Sequence, residues 1–245
     1  MRNPQVLSNV SKETLNAADS PRWYLLRTGS RSAAENMAVD EVLLEFAGQL
    51  RQPVLRFYGW SEPAASFGYS QRYSEIERLT SLRPLVRRPT GGGLVPHDSD
   101  WTYSLVFPPS APWYSFKATA SYQRVHAWVQ AAFERVNFST KLSDQTRREV
   151  PGQCFAGAER FDVLWQDRKI AGGAQRRNRQ GLLIQGSIQP PTGCARSQWE
   201  QAFCDVATSL WGVIWTPLTL EPAVEQRVQR RAREKFGSSE FTRSR

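Results

Sequence analysis

Two glycine clusters constrain this chain more than any other feature: RRPTGGGLVPHD, from Arg87 to Asp98, and RKIAGGAQRR, from Arg168 to Arg177. Each continues a stretch that reads as a β-strand. Glycine reaches backbone conformations closed to residues with a Cβ, and it lets a ligand approach main-chain N–H groups closely. A cluster that ends a strand suits a phosphate or carbonyl oxygen, whereas one inside a strand leaves room for a ligand to lie on the sheet. Arg87 and Arg88 add fixed charge whose planar geometry matches phosphate or carboxylate oxygens. The first cluster fits neither the P-loop nor the dinucleotide-binding pattern. By itself it reads equally well as a turn with two arginines facing solvent.

The rest of the chain supplies a mixed frame. A polar arm over 1–21 leads to a strand at Trp23 to Arg27. Ser32 and Glu35 then form a capping box ahead of a helix whose apolar stripe is Met37, Val39, Val42, Leu43 and Phe46. Val54 to Tyr58 and Ala64 to Gly68 read as short strands joined by a turn, and Leu85 to Arg88 and Trp101 to Phe107 as further strands. Short and long helices are expected around Ser74 to Leu79 and from Thr119 to Val136. A hairpin follows around Asp167 and Arg168, then a strand at Leu182 to Ile188 and helices from Gln198 to Leu210 and Pro222 to Phe236. This irregular order predicts an α+β (mixed α/β) fold with a central mixed β-sheet flanked by helices. One domain is expected over 22–236, with a basic tail over 237–245.

The formal charge of +9 predicts attraction to something acidic, and the segment from Glu225 to Arg245 holds seven of the basic residues as a solvated helix and tail. Aromatic residues do not interleave with Arg227 to Lys235, which argues against nucleic acid as a partner. Three cysteines without CxxC spacing indicate neither a disulfide framework nor a zinc site. The lack of a secretory leader or a long apolar window is read as a cytoplasmic protein with no membrane contact.

Lys169 opens a strand that is otherwise small and apolar, through Gly172, Gly173 and Ala174, so its ammonium can stand beside a cavity. From local sequence alone a surface lysine is the better reading. Cys154 sits in a Pro-Gly-Gln-Cys loop, where a nearby lysine can lower its thiol pKa and make it a nucleophile. Cys194 and Cys204 read as inert. His97 is given a positioning role and His126 a core or surface role, and no metal site is expected.

These segments, in this order and with Cys154 fifteen positions before Lys169, resemble the lipoate-protein ligase and octanoyltransferase family. NMAVDEVLL at Asn36 to Leu44, LRFYGW at Leu55 to Trp60 and ASFGYSQ at Ala65 to Gln71 extend the resemblance over about residues 23 to 190. The related biotin-protein ligases carry a different glycine and arginine loop. Cys154 and WTYSLV at Trp101 to Val106 are similar to the cysteine-dependent octanoyltransferase branch, whereas Gly93 is similar to the ligase branch and Pro96 departs from both.

The resemblance implies an acyltransferase of lipoate metabolism. It would move an octanoyl or lipoyl group from a carrier-protein thioester, through a thioester on Cys154, to the target lysine of a lipoyl domain. Lys169 would depress the Cys154 pKa and orient the acyl carbonyl. Arg88, Thr90, Gly91, Gly92, Gly93, Leu94, Val95, His97, Gly172, Gly173 and Ala174 would line the acyl or adenylate site. An eight-carbon chain would need an apolar tunnel, where burying about six methylenes is worth about 5 kcal/mol. The implied partners are acyl carrier protein and lipoyl-domain proteins, namely the glycine cleavage H protein or the lipoyl domains of 2-oxoacid dehydrogenases, met by a monomer. No cofactor is implied for a transferase. The alternative, a ligase acting through an acyl-adenylate, would use ATP and Mg2+, and a non-catalytic binding protein of the same fold ranks third.

Overall fold

The computed structural model describes residues 20–148, 155 and 157–244. Strand β1 (Arg22–Arg31) runs into helix α1 (Ala33–Leu50) across a reciprocal cap: Ser32 Oγ accepts from Glu35 N, and a Glu35 carboxylate oxygen accepts from Ser32 N at 3.1 Å. Arg51, in the left-handed conformation at φ 57°, ends the helix. Then come β2 (Val54–Trp60), β3 (Ala64–Phe67), α2 (Tyr73–Ile76), β4 (Leu85–Arg87), β5 (Val95–His97) and β6 (Trp101–Phe107). Helices α3 (Pro112–Ser115) and α4 (Ala118–Arg135) precede the short strands β7 (Lys141–Leu142), β8 (Arg147–Arg148) and β9 (Gly157–Ala158). The hairpin of β10 (Val163–Trp165) and β11 (Arg168–Asn178) leads to β12 (Gly181–Ile188), α5 (Arg196–Trp211), β13 (Ile214–Leu218) and α6 (Pro222–Arg231). A π-helical turn at Ala232–Phe236 and α7 (Ser239–Arg243) follow.

Eight strands form the main sheet in the order β13-β1-β2-β6-β12-β11-β10-β7. The two pairings of β1 are parallel and the others antiparallel, so the mixed sheet flanked by helices is as expected. The strands at Val54 and Ala64 do not pair with each other. After the turn the chain leaves the main sheet, and β3 pairs with β4 and β5 in a small sheet of its own. That departure lifts the Arg87 to His97 segment off the main sheet as a separate layer.

Strand alternation sends side chains to two different cores. Leu55, Phe57, Tyr103, Leu105, Leu182 and Ile184 meet α4 and α5 in a core rich in aromatics, where Trp128 stacks on Phe203 with ring centroids 3.8 Å apart. Val54, Val106 and Leu183 face α1 and the C-terminal helices. There the basic segment is not a solvated helix: Arg227 pairs with Glu45, Arg231 with Glu41 and Glu45, and Lys235 with Glu41, all on α1. Nor are residues past 236 simply a tail, because α7 docks with Thr242 buried, and Arg87 donates to the carbonyls of Phe241 and Thr242. Among the described residues no helix is long and apolar enough to cross a membrane.

Candidate functional site

The first glycine cluster is held by two chains of buried polar groups, both on the α1 side of the sheet. In the first, Arg88 Nη1 donates to Ser66 O and Oγ, Ser66 Oγ lies 2.8 Å from His97 Nε2, and His97 Nδ1 lies 2.9 Å from Asp100 Oδ2. Ser187 and Thr102 also donate to that carboxylate oxygen, and Trp60 stacks on the His97 ring at 3.7 Å. The carboxylate can only accept, so His97 turns a ring N–H to Asp100 at Nδ1, while Nε2 faces Ser66 Oγ, which accepts from Arg88. His97 thus pairs with Asp100 and not with its neighbour Asp98, because β5 ends at His97 and the turn brings Asp100 back to the ring.

The other end of Arg88 grips the loop itself. Nε and Nη2 donate to Gly91 O at 3.0 and 2.6 Å, and Nη2 to Gly93 O at 2.7 Å. In a trans peptide the N–H points opposite to the C=O, so the amides of Gly92 and Leu94 face away from the guanidinium. Gly92 sits at φ 84°, a conformation that only glycine adopts cheaply. In the second chain Thr90 Oγ1 donates to Gln185 Oε1, Gln185 Nε2 donates to Asp40 at 2.7 Å, and Asp40 pairs with Arg56, both fully buried. The loop is therefore fixed from beneath at Thr90 and from the side at Arg88.

The second cluster carries the lysine. Lys169 is only 6% exposed at its side chain, and its Nζ lies 2.7 Å from an oxygen of the fully buried Asp162. Tyr122 OH donates to the other Asp162 oxygen, and Glu159 N donates to Asp162 Oδ2 at 2.7 Å. A Cβ on Gly172 would lie 2.9 Å from Nζ and 3.2 Å from Asp162 Oδ1, so the missing side chain is what leaves room for the ion pair. A Cβ on Gly173 would lie 3.4 Å from His126 Nε2. His126 is buried, stands edge-on to Tyr122 at 4.1 Å, and has its pKa lowered to about 4 chiefly by desolvation. It is uncharged at neutral pH. The Phe155 ring lies 5.1 Å from the Lys169 ammonium.

Strand register brings the two clusters together. Ala174 pairs with Gln185, the residue that receives Thr90, and Gly172, against which Lys169 folds, is two positions along the same strand and hence on the same face. Two residues of strand span about 7 Å. The lysine thus lies beside a strand position about two residues from the one whose cross-strand partner holds Thr90.

The model of the lipoyl protein ligase A/B catalytic domain matches residues 32–190. This chain belongs to that family. Octanoyltransferase LipM of Kyrpidia tusciae is 32% identical over 228 residues, which is 83% of each chain. Octanoyltransferases LipM of Staphylococcus epidermidis and of an Exiguobacterium species are 33% and 36% identical over 180 residues, 68% of this chain, and the chain spans 65% of their length. Among solved structures, lipoate-protein ligase A bound with ATP superposes with a TM-score of 0.73 at 17% identity, over 91% of this chain and 98% of that one. The bipartite lipoate protein ligase of Thermoplasma acidophilum, described with its E2 lipoyl domain, gives 0.71 at 16% identity, over 91% and 96%. At such identities the likeness is one of fold.

Within this lipoyl protein ligase A/B fold, Thr90 is tied to Gln185, the cross-strand partner of Ala174, Lys169 folds against Gly172 on the same strand, and Gly173 turns to the opposite face, where His126 lies. Leu94, Val95 and His97 are buried behind the loop. Arg87 and Arg88, expected to offer charge to a ligand, turn their guanidinium groups to main-chain carbonyls, because a strand that leads under a loop points its side chains into the supporting layer. Cys154 lies outside the described residues. Cys204 is buried and its thiol is pushed up to about 12 by desolvation, and burial raises that of Cys194 as well. Among the described residues no group of His, Cys, Asp and Glu is placed to hold a metal ion. Sequence reasoning gave no role to Tyr122 or Arg176, whose Nη1 lies 3.4 Å from Pro89 O, and it left His126 between a core and a surface role. A signal existed for one pair: Tyr122 and His126 are four apart on one face of α4, ahead of Val129 and Phe133.

Proposed function

We propose that this protein is an octanoyl or lipoyl acyltransferase that works through a thioester on Cys154. The observation that carries the reading is the buried Lys169 ammonium, held against Gly172 with the ring of Phe155 beside it, two strand positions from Ala174, whose cross-strand partner Gln185 holds Thr90 ahead of the triple glycine. Phe155 follows Cys154 directly in the chain. The relatives named octanoyltransferase support the choice of group transferred.

The reaction runs in two exchanges. The Cys154 thiolate attacks the donor thioester, a C–S bond forms to Cys154, the bond to the carrier thiol breaks, and that thiolate takes the proton the cysteine gave up. The amine of a lipoyl-domain lysine then attacks the Cys154 thioester, forms the amide and releases the cysteine thiolate, and the proton of the attacking amine passes to solvent. The thioester exchange is nearly thermoneutral, so the site has only to place the groups and stabilise the oxyanion. Lys169 and main-chain N–H groups of the glycine loop supply that stabilisation. No cofactor enters either step.

The acyl donor is the thioester of an acyl carrier protein and the acceptor a lipoyl domain, both small and acidic, toward which a chain of net charge +9 is drawn. Transfer should then weaken with rising salt through KM for the protein substrates. The deciding experiment incubates the protein with octanoyl carrier protein and no ATP, and reads an octanoyl adduct by intact mass. The adduct should form in the wild type and fail in Cys154→Ala. Product only with octanoate and ATP would establish the ligase reading instead, and an adduct that persists in Cys154→Ala would exclude Cys154 as the nucleophile.

A further inference from the structure

We propose that Asp162 is a positioning residue for Lys169, one that sets where the ammonium stands in the acyl site and is itself clamped by Tyr122. The claim rests on the acyl-transfer reading, in which Lys169 meets the developing oxyanion. The burial of this ion pair is anomalous. A carboxylate at 0% exposure and an ammonium at 6% form a pair that apolar side chains of similar volume would commonly equal or better in stability. The pair therefore calls for a role other than holding the fold together.

The hydrogen bonds identify that role. Asp162 accepts from three separate parts of the chain: Lys169 on β11, Tyr122 on α4, and the main chain of Glu159, four residues after Phe155. Its own backbone is fixed as well, with Ser143 N donating to Asp162 O at 2.8 Å and Asp162 N to Glu159 O at 3.0 Å. A free lysine side chain has four soft torsions, and holding it in one geometry costs rotamer entropy at each approach of substrate. Here the carboxylate removes that freedom beforehand. The Phe155 ring lies 5.1 Å from Nζ, and Gly172 provides the space. His126, the other titratable group of α4 beside the pair, is neutral because burial lowers its pKa to about 4, so it does not compete for Asp162. Asp162 thus couples the lysine to the helix and to the segment that follows Phe155.

The test is a double-mutant cycle with a spectroscopic readout. Asp162→Asn should lower kcat about 100-fold and Tyr122→Phe about fivefold, with KM for the lipoyl domain unchanged within twofold, as expected for a misplaced group and not a lost binding contact. In the Lys169→Met background neither substitution should lower kcat further, because both act through the lysine. Equal losses in the two backgrounds, or full activity of Asp162→Asn, would overturn the proposal. Tyr122→Phe keeps the ion pair intact and serves if Asp162→Asn does not fold. Independently of turnover, the Lys169 ammonium protons should exchange slowly enough with water to give a 1H–15N correlation in the wild type and lose it to fast exchange in Asp162→Asn, and an unchanged correlation would also overturn it. The cycle is run on whichever donor the wild type uses, octanoyl carrier protein or octanoate with ATP. A wild type that needs ATP removes the transferase reading, while the coupling between Asp162 and Lys169 is still read from the same cycle.

Discussion

The two faces of the main sheet treat polar atoms in opposite ways. Against α4 and α5 the interior is aromatic; two of the polar atoms caught in it, Tyr103 OH and Trp199 Nε1, have no hydrogen-bond partner among the described residues, and Trp128 Nε1 reaches only a main-chain carbonyl, that of Phe203. Against α1 the interior turns from Val54, Val106 and Leu183 to Arg56, Ser104 and Gln185 along the same strands, and these groups are linked through Asp40. The first face resists unfolding through area and packing. The second reaches a loop. An apolar core has no directional bonds with which to fix a glycine-rich backbone, whereas a chain of hydrogen bonds from α1 ends on Thr90 and can specify its position.

The sharpest way to break this contrast is to cut the polar chain at its centre. Asp40→Ala leaves Arg56 buried without its carboxylate, and urea unfolding should show a loss of about 3 to 5 kcal/mol. Transfer activity should fall at urea concentrations that leave the fold intact, because Gln185 loses its anchor. Next comes His126 on the aromatic face. Its pKa of about 4 lies below the ordinary 6.5, so its contribution is fully present above pH 6.5 and is lost as pH falls toward 4, a loss of about 3 kcal/mol for one proton over that interval. His126→Phe should flatten that part of the stability curve in calorimetry between pH 4 and 7, and an unchanged slope would show that the ring is not the group responsible.

A smaller effect is expected where the two clusters meet. Gly172→Ala puts a methyl group 2.9 Å from Lys169 Nζ and 3.2 Å from Asp162 Oδ1, and should cost about tenfold in kcat by displacing the ammonium from its place in the ion pair. The smallest effect compares two tyrosines. Tyr58 OH donates to Asp40 at 3.2 Å, so Tyr58→Phe should destabilise by about 1 kcal/mol, while Tyr103→Phe removes an unpaired hydroxyl and should be neutral or slightly stabilising. Equal losses at the two positions would erase the distinction between the faces.

Much of the frame was legible in the sequence because it depends on near neighbours. The Ser32 and Glu35 cap, the α4 stripe and the β10–β11 hairpin all follow from contacts within a few residues. Strand β13 was missed, since Pro217 interrupts its five residues, and it exists through parallel pairing with β1 from the far end of the chain. The C-terminal helix read as a solvated basic surface for a similar reason: its partners Glu41 and Glu45 lie far away in sequence.

The sequence by itself determined which residues stand near the chemistry, since glycine where a ligand must approach and lysine beside it are choices of residue type that spacing reveals. Only the tertiary structure decided what those residues do for one another. That Arg88 grips the loop from behind, that His97 answers to Asp100 and that Asp162 and Tyr122 hold Lys169 all depend on side chains from different strands and helices meeting in a water-poor interior. In such an interior an unpaired polar group is costly, and the identity of its partner is set by packing and not by distance along the chain.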